Sequence, residues 1–427
     1  MLKLYTMKII IIGGGFGGLT LARAFNNKPG FEILLLDRFN YHQFQPLFYQ
    51  VATSGLDASN ISFPLRKVFH GSKNVRYHMA EVKELDINNK KVLTDIGVFD
   101  YDKLVIATGA DTNFFGNAAM EENAFPMKST VEALQLRHRM LHNFEDASML
   151  TDEASIQCLL NIVVVGGGPT GVELSGAIAD MRRYVLSKDY PELDFSKMNI
   201  YLLEGTAHTL GTMSAKSSED SKAYLERLGV IVRTNTLLKE YNGKTAILQD
   251  GSTIETSLVI WAAGIKGNVP QGIDNALIVK GNRIKVDRFS QVQGIADVYA
   301  IGDVSYMEEP AYPKGHPQVS PVAIQQAKNL QSNFKAMLAN KPLTEFVYHN
   351  KGVMATVGRK LAVVDLAKPN VHFKGFFAWL IWMGLHLVLL LGVKNRLSIF
   401  ANWVYKYFTK DQNLRLIFRA FYKERKQ

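Results

Sequence analysis

Two glycine triplets at identical spacing carry the clearest chemistry in the chain. Gly13, Gly15 and Gly18 form one GxGxxG, and Gly166, Gly168 and Gly171 form another. This spacing suits a diphosphate. The first glycine turns the chain tightly, the second lets a pyrophosphate approach the backbone, and the third lets the following helix pack on its strand. The anion then rests on free N–H groups at a helix N-terminus, where the helix dipole favours it. Each triplet is trailed by an acidic residue at the end of an apolar run, Asp37 and Glu204. A carboxylate there accepts hydrogen bonds from an adenosine ribose 2′-hydroxyl. It repels a 2′-phosphate, so Glu204 argues for NADH over NADPH.

The elements that must position these residues are written twice. "KIIIIGGGFGGLTLARAF" at 8–25 is echoed by "NIVVVGGGPTGVELSGAI" at 161–178, "EILLLDR" at 32–38 by "NIYLLEG" at 199–205, and "KLVIATGA" at 103–110 by "SLVIWAAGI" at 257–265. The order is the same in both copies, so a whole domain is repeated. Each copy opens on a run of β-branched residues, as a fully buried parallel strand does. A later segment, "ADVYAIGDVS" at 296–305, reads as a strand ending in Gly-Asp, and Asp303 is placed for the sugar-alcohol chain of a flavin. The predicted fold is therefore α/β, with two Rossmann-like dinucleotide-binding domains. An FAD-binding domain at 1–115 is completed at 285–340, and an NADH-binding domain at 116–284, with its Rossmann core from about 159, is inserted in it. Residues 341–427 form a separate C-terminal region.

The totals exclude several classes. The chain has 427 residues, 47% apolar and 21% charged, enough for two to three domains. A single cysteine, Cys158, rules out a disulfide framework, a CxxC pair and any cysteine-based zinc site, and the ten histidines show no metal-binding spacing. No metal is expected. Core sequence begins a few residues from Met1, leaving no room for a signal peptide, and Met7 is itself a candidate start. The expected surroundings are reducing.

The net charge of +10 is concentrated at the C-terminus, where residues 394–427 hold nine Lys/Arg against Asp411 and Glu424, a net of +7. Aromatic and leucine residues interleave with these cations, which fits an anionic membrane surface better than nucleic acid. Before them lies Phe376–Val393, 18 residues without a formal charge and broken by Gly384, His386 and Gly392. A spanning helix wants ~20 apolar residues. Leu414, Ile417, Phe418 and Phe421 recur at helical spacing, with Arg415, Arg419, Lys423 and Lys426 on another face. Amphipathic helices within about 375–427 are thus expected to anchor the protein in the plane of a membrane surface. A single span and a buried helix at a dimer interface are the alternatives.

The paired GxGxxG units, the "ATG" and "AAG" strands and "YAIGD" resemble the two-dinucleotide-binding-domain flavoproteins that include glutathione reductase. Within them, "NYHQFQPLFYQVATSGL" at 40–56, "GGGPTGVELSG" at 166–176, "VAIQQAKNL" at 322–330 and the apolar–basic tail resemble type II NADH dehydrogenase, the single-subunit NADH:quinone oxidoreductase. The resemblance runs from about residue 8 to about 410. It implies contacts to FAD from Gly13, Gly14, Gly15, Phe16, Gly17, Gly18, Asp37, Arg38, Gln45, Pro46, Leu47, Val82, Ala107, Thr108, Gly109, Asp303, Ser320, Pro321 and Val322. It implies contacts to NADH from Gly166, Gly168, Pro169, Thr170, Gly171, Glu204, Ala263 and Gly264. Glu173 matches a family glutamate assigned to the acceptor reaction or its protonation; a glutamate favoured by the helix dipole is the plainer alternative. Gln325 is the second candidate catalytic residue, and with Trp379 and Trp382 it is expected near the quinone, though the two tryptophans suit an interface anchor equally. The implied reaction passes hydride from NADH to FAD, then two electrons to menaquinone or ubiquinone, without proton pumping. The implied setting is the cytoplasmic face of an inner membrane, with a homodimer an open option and nucleic acid no partner.

One departure bears on the acceptor. The family pattern Ala-Gln-x-Ala-x-Gln reads Ser320-Pro321-Val322-Ala323-Ile324-Gln325 here, and Pro321 offers neither N–H nor amide. Gln318 is a candidate substitute. Cys158 alone supplies neither the CxxxxC of disulfide reductases nor the cysteines of sulfide:quinone reductases, so a buried apolar filler is its expected role. Two other functions stay open: an NADH oxidase or diaphorase with oxygen, a soluble quinone or a protein as acceptor, and a slow flavin-binding membrane-surface protein acting through partners.

Overall fold

The computed structural model describes residues 6–412 and 414–417. The chain forms two compact units. The first is built from the chain up to Gln43, Ser62–Asp111 and Ile265–Asn350; the second from Phe44–Ile61, Thr112–Gly264 and the chain from Lys351 onward. Residues 265–284, expected with the NADH-binding domain, belong to the first unit, because Ile273 and Ile284 are buried in its apolar core. Residues 44–61 and 341–350 are likewise divided differently from the expectation: the former lie in the second unit and the latter in the first.

The first unit holds a five-stranded sheet in the order Val298–Ala300, Lys103–Ile106, Met7–Ile12, Phe31–Asp37, Val75–Met79. All neighbours are parallel, with Ile9 opposite Ile33 and Ile12 opposite Ile106. The "YAIGD" segment thus supplies the edge strand beside Lys103–Ile106. The isoleucine and leucine runs are buried, as expected for strands covered on both faces. The central strand runs into Gly13 and the Phe16–Phe25 helix, and the next strand in sequence lies to one side while Lys103–Ile106 lies to the other. That reversal of strand order is where open α/β sheets bind ligands.

The second unit repeats the plan. Its five-stranded sheet runs Phe125–Pro126, Leu258–Trp261, Ile162–Val165, Ile200–Leu203, Val230–Arg233, again all parallel. The Pro169–Met181 helix follows the second glycine turn, with Pro169 in the first position, where a missing N–H costs no intrahelical bond. This helix is covered by a three-stranded antiparallel sheet, Val353–Thr356, Ala362–Leu366 and Val371–Lys374. Gly176 permits the contact: a Cβ there would lie 2.5 Å from the Gly358 nitrogen.

Two helices close the described chain, Gly375–Leu389 and Val393–Thr409. Ala378, Trp382 and His386 of the first, and Ile399 and Trp403 of the second, face inward. The outer faces stay apolar and open, with Phe377 at 74%, Val388 at 68%, Leu397 at 63% and Phe408 at 75% exposure. Among the described residues no helix is long and apolar enough to cross a membrane. The amphipathic helix expected beyond residue 413 is not seen where it is described: Leu414–Ile417 are not helical. Lys410 adopts the left-handed conformation that ends Val393–Thr409, and Arg415 forms ion pairs with Asp189 and Asp411. Phe418, Arg419, Phe421, Lys423 and Lys426 lie outside the described residues.

Candidate functional site

The protein's own packing demands two glycines of each triplet but not the third. Gly13 takes φ +104° and a Cβ there would strike the Ala107 carbonyl; a Cβ on Gly18 would sit on the Gly13 oxygen. Gly166, at φ +107°, and Gly171 repeat this against Ala262 and Gly166. Gly15 and Gly168 differ. Both have φ −71°, open to any residue, and a Cβ on either would meet nothing within 4 Å. Neither conformation nor protein packing explains glycine there, whereas the close approach of a diphosphate does. No side chain caps either helix, which leaves first-turn N–H groups to an anion.

Both acidic residues are locked to their glycine loops. Asp37 accepts the Gly14 N–H at 2.5 Å and the Phe39 N–H at 2.7 Å. Burial pushes its carboxyl up, and those two N–H groups pull against the shift. Glu204 accepts the Gly167 N–H at 2.6 Å and the Thr206 N–H at 2.7 Å. Sequence reasoning missed His42. Its Nδ1–H donates to the Gly14 carbonyl at 2.9 Å while its ring meets Phe16 edge-on, and burial lowers its pKa, keeping it neutral.

Asn268 clips the turn after Lys103–Ile106, accepting the Thr108 hydroxyl at 2.5 Å and donating to Gly109 at 3.0 Å. Ala107 is buried. Asp303 sits half-buried in the Gly302–Val304 turn, whose Gly302 N–H goes to Gln326 at 2.7 Å. Gln318 donates to the Asp303 carbonyl at 2.8 Å, so it braces this turn. Val82 packs on the core and Arg38 is exposed. Ser320 and Pro321 open the Ser320–Leu338 helix, where proline's missing N–H is harmless, and Val322 is buried. The Gln325 amide is engaged at both ends by the His349 backbone, each at 3.0 Å. Gln45, Pro46 and Leu47 form one 3-10 turn in the second unit, with Gln45 exposed and Leu47 buried.

In the second unit Pro169, Thr170 and Ala263 are exposed, and Gly264 accepts the Asn113 N–H at 3.0 Å. Deeper, the Pro169–Met181 helix buries Glu173 against the Val353–Thr356 strand. The Thr356 N–H donates to Glu173 Oε1 at 3.2 Å and the Thr356 hydroxyl lies 3.5 Å from it, while Trp382 bonds the same carboxyl. Burial outweighs these bonds and pushes the Glu173 pKa up to about 8. The side chain therefore keeps its proton at neutral pH and can give it up. Thr356 Oγ1 is 2.9 Å from the Tyr49 hydroxyl, which accepts from Gln50 Nε2 at 2.9 Å; Gln50 Oε1 accepts the Trp403 indole N–H at 2.8 Å. Tyr49, Gln50, Thr356 and Trp403 were missed from sequence.

Trp382 is buried and stacks on His386 with ring centroids 4.0 Å apart; burial pushes the His386 pKa down to about 4. Trp379 is half-buried between Phe376 and Tyr407. Beside them Asp180 and Lys406 share a small cavity with Tyr49, Gln50 and Trp403. Burial raises the Asp180 carboxyl, against the opposing pull of Lys406 and Arg359, and lowers Lys406. Cys158 is free and buried. Among the described residues no group of three or more His, Cys, Asp or Glu is arranged to hold a metal.

Residues 7–327 match the profile of the pyridine nucleotide-disulphide oxidoreductases, and residues 350–410 that of the NDH2 C-terminal domain. A type II NADH:quinone oxidoreductase of Mycobacterium tuberculosis is 35% identical over 415 residues, 93% of this chain and 87% of the relative. One from Haemophilus influenzae is 28% identical, over 88% and 92%. In fold, the chain is similar to NDH2 from Plasmodium falciparum in complex with NADH, with a TM-score of 0.87 at 22% identity over 97% of this chain and 100% of that one.

Proposed function

The chain belongs to the pyridine nucleotide-disulphide oxidoreductases and, within them, to the type II NADH:quinone oxidoreductases, and on that premise we propose that it is an FAD-dependent NADH:quinone oxidoreductase that pumps no protons. The observation that carries this reading is the buried, proton-retaining Glu173 on the helix that opens at the second glycine turn. FAD, when bound, supplies the hydride acceptor and two-electron donor that the protein's own side chains lack.

In this reading the first-unit residues named above hold the flavin. When bound, FAD would have its diphosphate held at the Gly15 turn, its adenosine ribose by Asp37, and the remainder by Asp303 and the turn at 107–109. His42 keeps the glycine loop in shape. Gly168, Gly171 and Glu204 hold NADH. Glu173 holds one proton for the acceptor, with Trp382 against it. Gln325 and Gln318 are spent on bracing backbone, so they enter as positioning residues rather than as contacts to quinone.

The open apolar faces of the last two helices dock the protein on a membrane surface, the cytoplasmic face of an inner membrane, where a lipid-soluble quinone is at hand. The test is NADH oxidation by detergent-purified, FAD-loaded protein under nitrogen, with and without a menaquinone or ubiquinone analogue. A many-fold rise with quinone supports the reading. Flavin that NADH bleaches and quinone fails to reoxidise would leave the hydride half standing and make the acceptor wrong.

A further inference from the structure

The hydrogen bonds that end on Glu173 run in one direction. An indole N–H only donates, so the contact from Trp403 fixes Gln50 Oε1 as the acceptor and Nε2 as the donor to Tyr49. With Gln50 donating to its oxygen, Tyr49 turns its own proton to Thr356 Oγ1, 2.9 Å away. Thr356 in turn directs its hydroxyl toward Glu173, across 3.5 Å. That last contact is long, as catalytic hydrogen bonds often are before substrate arrives. The two hydroxyls can each pass a proton on as they take one up. Gln50 cannot, since an amide donates without releasing, so the proton must enter at Tyr49.

Tyr49 lines the cavity beside Asp180 and Lys406, which has about 30 Å³ open to small occupants. That is room for roughly two water molecules, and too little for a ligand. Three tryptophans, Trp379, Trp382 and Trp403, form much of its wall, and Tyr49, Gln50, Asp180, Arg359 and Lys406 give water its polar partners.

We propose that Thr356 and Tyr49 are the path by which Glu173 regains its proton, with water in the Asp180–Lys406 cavity as the source. The proposal rests on the reading of Glu173 given above. Hydride from NADH brings two electrons and one proton, whereas quinone takes two electrons and two protons to become quinol. The second proton leaves the Glu173 carboxyl as an O–H bond forms on the quinol oxygen. The carboxylate then takes the Thr356 proton, Thr356 takes that of Tyr49, and Tyr49 takes one from cavity water, which the medium replenishes. No electron moves along this path. Burial makes a free tyrosinate unfavourable, so the hops occur together. The charged groups facing the path are Asp180, Lys406 and Arg359; His386, behind Trp382, is neutral.

The test follows Glu173 itself in full-length, FAD-loaded protein. After a pH jump, the return of its protonated-carboxyl C=O infrared band is timed, the band being identified by its loss in E173Q. T356V and Y49F should slow that return about tenfold or more, and T356S, which restores a hydroxyl, should recover it. A merely structural role would move the midpoint of the band and leave its rate alone. Unchanged rates in both T356V and Y49F would overturn the path. Quinone reoxidising the flavin of E173Q at the wild-type rate would instead remove Glu173 as the proton source, a failure of the underlying reading that the band kinetics distinguish.

Discussion

Glu173 and Asp180 lie two turns apart on one buried helix, and burial raises both carboxyls, yet only Asp180 has cations facing it. Lys406 and Arg359 oppose the shift at Asp180, while Glu173 is met by neutral donors alone. Burial thus shifts the two carboxyls of one helix the same way, and only at Asp180 do cations pull against it.

Stability should reveal the difference. The Glu173 pKa is raised in the folded state, so its contribution to stability is intact below the ordinary glutamate value and is lost as pH climbs to about 8. The full loss is bounded at roughly 5 kcal/mol by the size of the shift. In E173Q this dependence is absent. Its melting temperature relative to wild type should therefore rise between about pH 4.5 and pH 8, then level off. Burial raises Asp180 as well, so D180N should show a pH trend of the same sign, set lower throughout because Lys406 and Arg359 lose their partner. Thermal melts across pH decide both.

Turnover should carry the same signature. If the protonated carboxyl feeds the acceptor, quinone-dependent reoxidation falls as pH rises through about 8. E173Q should slow that step about 100-fold or more and flatten its pH profile, with NADH bleaching the flavin at the normal rate. Stopped-flow absorbance separates the two half-reactions.

The glycines give a sharper structural contrast. G18A should destabilise the fold severely, since its new methyl lands on the Gly13 carbonyl. G15A should fold normally and yet lose FAD, because its methyl meets no protein atom and fills the space of the diphosphate. Melting temperature and retained flavin absorbance, measured on the same preparations, should dissociate in G15A and fall together in G18A.

The docking face is tested by charge. F377E with L397E places two carboxylates on the open apolar surface of the last two helices. Flotation with anionic vesicles should lose about 90% or more of the bound protein, whereas NADH-dependent reduction of a water-soluble acceptor should persist. Undiminished flotation would mean that another surface meets the lipid.

Much of the fold is legible in the sequence because buried parallel strands leave uninterrupted apolar runs and because Gly18 answers to the Gly13 carbonyl, a few residues away. The end of the last helix is not legible. No glycine or proline marks Lys410, and apolar spacing continues into 414–417 although the chain there is no longer helical. The path to Glu173 is hidden for a different reason. Tyr49, Thr356 and Trp403 come from three distant segments, and none belongs to a residue type or spacing that singles it out before the chain folds. Gln325 shows the converse hazard: a motif position whose amide is already committed to the His349 backbone.

The outward apolar face of the two closing helices also bears on how the protein finds its substrates. A molecule held by such a face moves in a plane, and an acceptor dissolved in the same sheet of lipid is met by lateral diffusion rather than by a search through volume. NADH still arrives from three dimensions. The two substrates would thus obey different encounter laws, and diluting the lipid should starve one half-reaction while the other proceeds at its usual pace.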